Sequence, residues 1–324
     1  MFQLFPSAER LRACRLAVVL LVAAAGCGGS PTPTDLAIPP SQEVGGTSVA
    51  FSPDGRCLAV GGMDGDVVLR EERQTVATLQ GHSGAVWAVA FSPDGRAGAS
   101  GGRDCRVILW DVATREPRAH FTTHPAWVCC VAFAPDGRSL AAAAANGVTV
   151  WDTSDGEQRA VFHPDYRRVW CLAFAPDGRS LAIGDEGGTL TLWEPETGDR
   201  RKLGGKQPGP IHSLAFSPDG ETLALGTDGG PARVVDVKTG QTRGEFGEDV
   251  SAHAVAFSAD GRTLAAGGAI GVVRLWDVSS GRMTAEFSGH RKWVRGLAFA
   301  PDGRTLASVG WDGTVNLWPV RGGE

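Results

Sequence analysis

Two sets of residues in this chain could build a hydrolytic relay. His82, Ser100 and Asp104 form one, and His290, Ser308 and Asp312 form the other. In each, the serine lies ten residues before a tryptophan, Trp110 or Trp318, and the aspartate six before it. A hydroxyl, a base and an orienting carboxylate are the parts of nucleophilic catalysis. The same trio can instead satisfy its own buried polar atoms, and that reading is the stronger one. No phosphate-binding glycine loop, nucleophile elbow, HExxH or zinc-type cysteine pattern accompanies either set. Asp-Gly pairs recur, without the ligand spacing of a calcium loop. The expectation is a non-enzyme with no metal and no cofactor.

The other chemically informative side chains are aromatic and basic, and they are periodic. A marker, FSPDG or FAPDG, starts at Phe51, Phe91, Phe133, Phe174, Phe216 and Phe299, with the variant FSADG at Phe257; the spacing is 40 to 42 residues. Four residues before each Phe stand Thr47, Trp87, Cys129, Trp170, His212, His253 and Arg295. Six before stand Trp127, Arg168 and Trp293 among smaller residues, while Arg103 precedes Asp104 as Trp311 precedes Asp312. Tryptophan and arginine are the residues most enriched at binding hot spots.

These residues are positioned by the repeat itself. A fixed period near 41 residues marks a unit that cannot bury its apolar face alone and must stack on its neighbours. The second copy shows the pattern best. Val86 to Phe91 alternates as a strand with both faces partly covered. Ser92-Pro93-Asp94-Gly95 has the chemistry of a type I turn, with proline fixing φ at the second position and glycine free at the last. Strands follow at Ala97–Ser100, Arg106–Val112 and Arg118–Thr122. Four antiparallel strands per repeat, arranged radially, make an all-β, seven-bladed propeller.

The dipeptides Gly81-His82 and Gly289-His290, with Trp110-Asp111, Trp151-Asp152 and Trp276-Asp277, resemble those of WD-repeat proteins. Trp193-Glu194, Trp318-Pro319, Val235-Asp236 and Arg70-Glu71 depart from the dipeptide. The resemblance covers residues 36–324. It implies a hydrogen-bonded structural set of His82, Ser100, Asp104 and Trp110 in the second blade, and of His290, Ser308, Asp312 and Trp318 in the seventh. Ala141 and Ala266 stand where other blades would carry the serine. The resemblance also places Trp87, Arg103, Trp127, Arg168, Trp170, His212, His253, Trp293, Arg295 and Trp311 around the mouth of the channel on the top face. The expected role is a scaffold binding a protein or peptide partner there, through blades two to four, with a second aromatic group at Trp293 and Trp311. A propeller binding a peptide or small molecule, and a propeller enzyme of lactonase or quinoprotein-like type, are the alternatives.

The chain has 324 residues and a net charge of −5, with no basic stretch after residue 30, so nothing points to nucleic acid. Arg10, Arg12 and Arg15 precede the apolar run LAVVLLVAAA, which is too short to span a bilayer and suits an export signal. It ends Ala24-Ala25-Gly26-Cys27, which resembles a bacterial lipoprotein signal with Ala24 in place of the usual leucine. The resemblance implies lipidation at Cys27, residues 1–26 as signal and 27–35 as tether, and a monomeric propeller exported to the cell envelope and held on a membrane by lipid alone. Cys57, Cys105, Cys129, Cys130 and Cys171 remain and show no disulfide framework. Since the chain stops soon after Trp318, residues 36–44 are expected to supply the outer strand of the last blade and close the ring.

Overall fold

The computed structural model describes residues 46–320 apart from 73, 123–125, 165–167 and 248–250. The signal, the tether, Cys27 and residues 36–44 lie outside the described residues. Seven antiparallel sheets follow one another in chain order, and no helix occurs among the described residues. Blades one to six have four strands each in sequential order; blade seven has three among the described residues, ending at Val315–Pro319. The second blade runs Val86–Phe91, Ala97–Gly102, Val107–Asp111 and Pro117–Phe121, close to the expected ranges. The chain is thus an all-β seven-bladed propeller of antiparallel blades.

Each marker turn is built as its residue types require. Gly55 N–H donates to Ser52 O at 2.8 Å, and Gly55 takes φ +72°. Ser52 Oγ accepts from Cys57 N–H at 2.9 Å and donates to Asp54 at 2.6 Å, which locks the corner. The turns also touch between blades. A Cβ on Gly95 would sit 3.5 Å from Pro53, and one on Gly55 would sit 3.3 Å from Pro301. The last contact joins blade seven to blade one through described residues. Gly303 meets nothing, because the preceding blade carries Ala259 in the proline's place.

Between blades, the Trp of the third strand packs against an apolar residue on the outer strand of the blade before it. Phe121 stacks on Trp151 at 5.0 Å and Phe287 on Trp318 at 5.0 Å. Phe162 and Phe246 approach Trp193 and Trp276 in tilted or edge geometry. Such pairs add about 0.5–1.5 kcal/mol beyond the area they bury. Cys171 is buried and all five described cysteines are free thiols. Burial pushes the Cys171 and Cys130 thiols up, so they behave as small apolar packing groups.

The innermost strands share one irregularity. Each pairs regularly with the second strand of its blade except at a single register shift, between residues 46 and 48, 86 and 88, 169 and 171, 211 and 213, 252 and 254, and 294 and 296. In blade three Val128 and Cys130 pair with Ala144 and Ala143. The residue skipped is in turn Thr47, Trp87, Cys129, Trp170, His212, His253 and Arg295. A bulge leaves its extra residue out of the ladder and re-aims the side chain.

Candidate binding site at the channel mouth

Seven bulges at one level make a ring of seven re-aimed side chains. They border a channel of about 870 Å³ whose wall includes Trp87, Trp127, Arg168, Trp170, His212, Trp293, Arg295 and Trp311. Of the ten expected binding residues, eight therefore line one space. The other two touch it. Arg103 lies over the Trp127 ring at 4.8 Å, and His253 stacks on both His212 and Trp293 at 4.9 and 4.6 Å. The sequence separated blades two to four from Trp293 and Trp311. The structure joins them, and the stacked series Trp170, His212, His253, Trp293 and Trp311 runs through blades four to seven.

The mouth is apolar and open. Trp127, Trp311 and Trp293 are 49%, 47% and 38% exposed, among the few large apolar side chains so exposed in the described residues. Trp293 and Trp311 lie parallel at 5.5 Å, and the Arg295 guanidinium faces Trp311 at 5.6 Å. Among the described residues, no Asp or Glu lines the channel.

Among the described residues, Glu186 borders the mouth through its N–H to Arg168 O at 2.8 Å, and a second acidic residue reaches the histidine pair. Asp228 approaches His212 Nε2 at 3.6 Å and His253 Nε2 at 3.3 Å. His212, Asp228 and His253 are the one metal-ligand grouping among the described residues. A metal lies near the plane of each imidazole that binds it, and two rings stacked at 4.9 Å and 29° share no such point beside both Nε2 atoms. One ring would have to turn. The nearby Cys129 thiol is directed at Ala143 O and Val169 O. Burial, reinforced by His212, holds His253 down to about 4, with Asp228 opposing. Burial also lowers His212, helped by Arg295. Both rings are neutral at pH 7.

Sequence reasoning missed Asp228. It occupies the place of Arg103 and Trp311. Each of the three donates its backbone N–H across to the segment preceding the inner strand, to Pro210 O, Ala85 O and Trp293 O respectively, as Glu186 of blade four does to Arg168 O. That place was sought beside the aspartates of the structural sets, and in blade five Gly229 stands where the aspartate would be.

The two Ser-His-Asp sets lie apart from the channel and are complete. Trp110 Nε1–H donates to Ser100 Oγ at 2.8 Å. An indole N–H can only donate, so the serine hydrogen goes to His82 Nε2 at 2.7 Å, and His82 Nδ1–H donates to Asp104 at 2.9 Å. Blade seven repeats this with Trp318, Ser308 and His290; Thr314 joins Asp312 at His290 Nδ1. Burial lowers His82 and His290 despite their carboxylates, which keeps each ring neutral. Ser100 and Ser308 are 0% exposed and each already accepts from a tryptophan. The hydroxyls face packing rather than a substrate. Glycine makes room for the ring: a Cβ on Gly310 would lie 2.6 Å from His290 Nδ1. By strand register, Ala266 takes the serine's place in blade six, opposite Val255 and Arg274. In blade three that place is Ala142, opposite Val131 and Thr149, not Ala141; the following turn is one residue shorter and shifts the count back from the Trp.

The repeat, the bladed ring and the Trp–Ser–His–Asp relays all belong to one architecture, and a family model agrees. The model described as the IFT122 first beta-propeller matches residues 45–319. The chain belongs to this propeller family. It is a WD-repeat propeller, as its dipeptides implied. The match spans all seven blades of the propeller and leaves out the N-terminal 44 residues. No curated protein matches the chain. No helix among the described residues is long and apolar enough to cross a membrane.

Proposed function

We propose that this WD-repeat propeller is a non-catalytic scaffold that captures a protein or peptide partner at its channel mouth. The observation that carries the reading is the exposure of Trp127, Trp293 and Trp311 on the rim of a single 870 Å³ channel flanked by Arg103, Arg168 and Arg295. Large apolar rings left in water are costly unless they are used, and an aromatic with an arginine beside it is the common form of an interface anchor. A channel of this size falls within the range of ligand sites.

Replacing Trp127 and Arg168 by Ala tests this. Both side chains are exposed, so the melting temperature should stay near that of the parent. Crosslinked capture of partner from native membranes should fall. Reduced stability with undiminished capture would show that the rings are packing and that docking lies elsewhere.

The same proposal includes export and lipid anchoring, supported by the basic flank, the apolar run and Cys27. Cys27→Ser should release the protein from membranes. Continued membrane fractionation of that variant would contradict the anchor.

A further inference from the structure

The ring formed by the seven bulge residues is unevenly satisfied. Thr47 donates to Val86 O, and Cys129 donates to Val169 O at 3.1 Å. The other five have partnerless atoms. Trp87 Nε1, Trp170 Nε1, His253 Nδ1 and Arg295 Nε are covered from solvent with no hydrogen-bond partner among the described residues, and His212 Nε2 and His253 Nε2 have the Asp228 carboxylate nearby without an aligned hydrogen bond. The bulge is what aims them there, and an apolar side chain at any of the five positions would avoid the cost. That cost is about 1–3 kcal/mol for each buried donor left unmade, and more for a charged one.

For Trp87 Nε1, Trp170 Nε1 and Arg295 Nε the chemistry is one-sided. Indole and guanidinium nitrogens donate and never accept. Among the described residues, no carboxylate lines the channel to receive them. Asp228 lies against His212 and His253 and acts on Arg295 only through space. Arg295, the one cation in the ring, donates no hydrogen bond to any described residue and lies over the Trp311 face. A cation without a hydrogen-bonded counter-charge in a low-dielectric wall is costly. An incoming anion would reverse that penalty.

We propose that the channel binds a carboxylate presented by an extended peptide segment, with Arg295 as counter-charge and the Trp87 and Trp170 indole N–H groups as neutral donors. The proposal rests on the reading of the mouth as a protein-docking site and names the group that docks. A carboxylate fits better than a phosphate. The neutral imidazoles add no positive charge, so Arg295 is the one cation among the seven bulge residues, with Arg168 on the channel wall and exposed to solvent. A planar guanidinium is the natural fork for carboxylate oxygens. The rim tryptophans would then hold the flanking peptide while the ring reads its charge.

The test uses the indole and guanidinium N–H resonances of the 15N-labelled full chain. The probes are acetyl-Gly-Gly-Glu-Gly-Gly-amide, its Gln counterpart, and acetyl-Gly-Gly-Gly with a free C-terminus. We expect the Trp87 and Trp170 Nε1–H and Arg295 Nε–H signals to move saturably with a carboxylate-bearing peptide and at least tenfold more weakly with the Gln peptide. Movement with the first probe assigns the group to a side chain, and movement with the third to a chain terminus. Arg295→Gln should abolish the preference for Glu over Gln without lowering the melting temperature, because it removes an unpaired charge; Arg295→Lys should keep part of it. If Glu and Gln peptides shift these signals equally, or neither does, the donors face channel water only and the proposal is overturned. The wild-type comparison decides this even if a variant fails to fold. The docking reading fails separately, if Trp127→Ala with Arg168→Ala leaves partner capture intact.

Discussion

At the scale of single residues, the buried histidines set a pH window. His253 is held at about 4 against an ordinary 6.5, chiefly by burial, and its side chain is 1% exposed. The unfolded chain therefore takes up protons first as pH falls. Stability is complete above about 6.5 and declines toward pH 4, on the order of 3 kcal/mol for His253 alone. His82, His212 and His290 are lowered as well and act in the same direction. Urea midpoints measured from pH 7 to pH 4.5 should fall steadily, and less so in His253→Gln; a flat profile would contradict the assignment. The relay in blade seven gives a second measurement. Asp312→Ala leaves the Arg291 N–H, Thr314 and His290 short of an acceptor and should cost roughly 1–3 kcal/mol. Trp318→Ala should cost more, on the order of 3–5 kcal/mol, since it empties the interface with Phe287. Equal losses from the two substitutions would show that the packing contribution is overstated. The identities of the ring residues were legible because the repeat aligns them in sequence. Their stacking and their unpaired atoms were not, because these depend on a bulge and on side chains arriving from neighbouring blades.

At the scale of elements, the turns carry most of what the sequence made plain. Ser, Pro, Asp and Gly each have one task in the corner, so both strands around it follow from local chemistry. Blade six is the exception and gives a prediction. Ala259 stands where six repeats have proline, and Gly303 has no neighbour as a result. Ala259→Pro should raise stability by about 0.4–1 kcal/mol, by restricting the unfolded chain at a position whose conformation proline already adopts elsewhere in the ring. A lower denaturation midpoint would mean that this turn differs from the others. The bulge was the element the sequence hid. Its cause is a single skipped pairing, and no residue type marks it, for Thr, Trp, Cys, His and Arg all occupy it. The serine register in blade three was hidden for a related reason: counting from the tryptophan crosses a turn of variable length, whereas counting from the marker Phe does not.

At the scale of the whole molecule, the ring explains why the site is asymmetric. Seven equivalent positions let each blade contribute a different side chain at the same height, so recognition is written around the channel rather than along one element. The net charge is negative, yet among the described residues the channel wall carries arginine and no carboxylate. That contrast favours an acidic partner approaching the top face, where fields within a few ångströms outweigh the distant net charge. The docking claim is tested most directly by position. A photocrosslinking residue is placed at position 127, on the mouth, or at position 283, on the exposed outer strand of blade six. Each form is then irradiated in native membranes. A partner adduct at 127 and none at 283 is the expected result. An adduct at 283 with none at 127 would place the interface on the blade edge and contradict the channel mouth as the docking site.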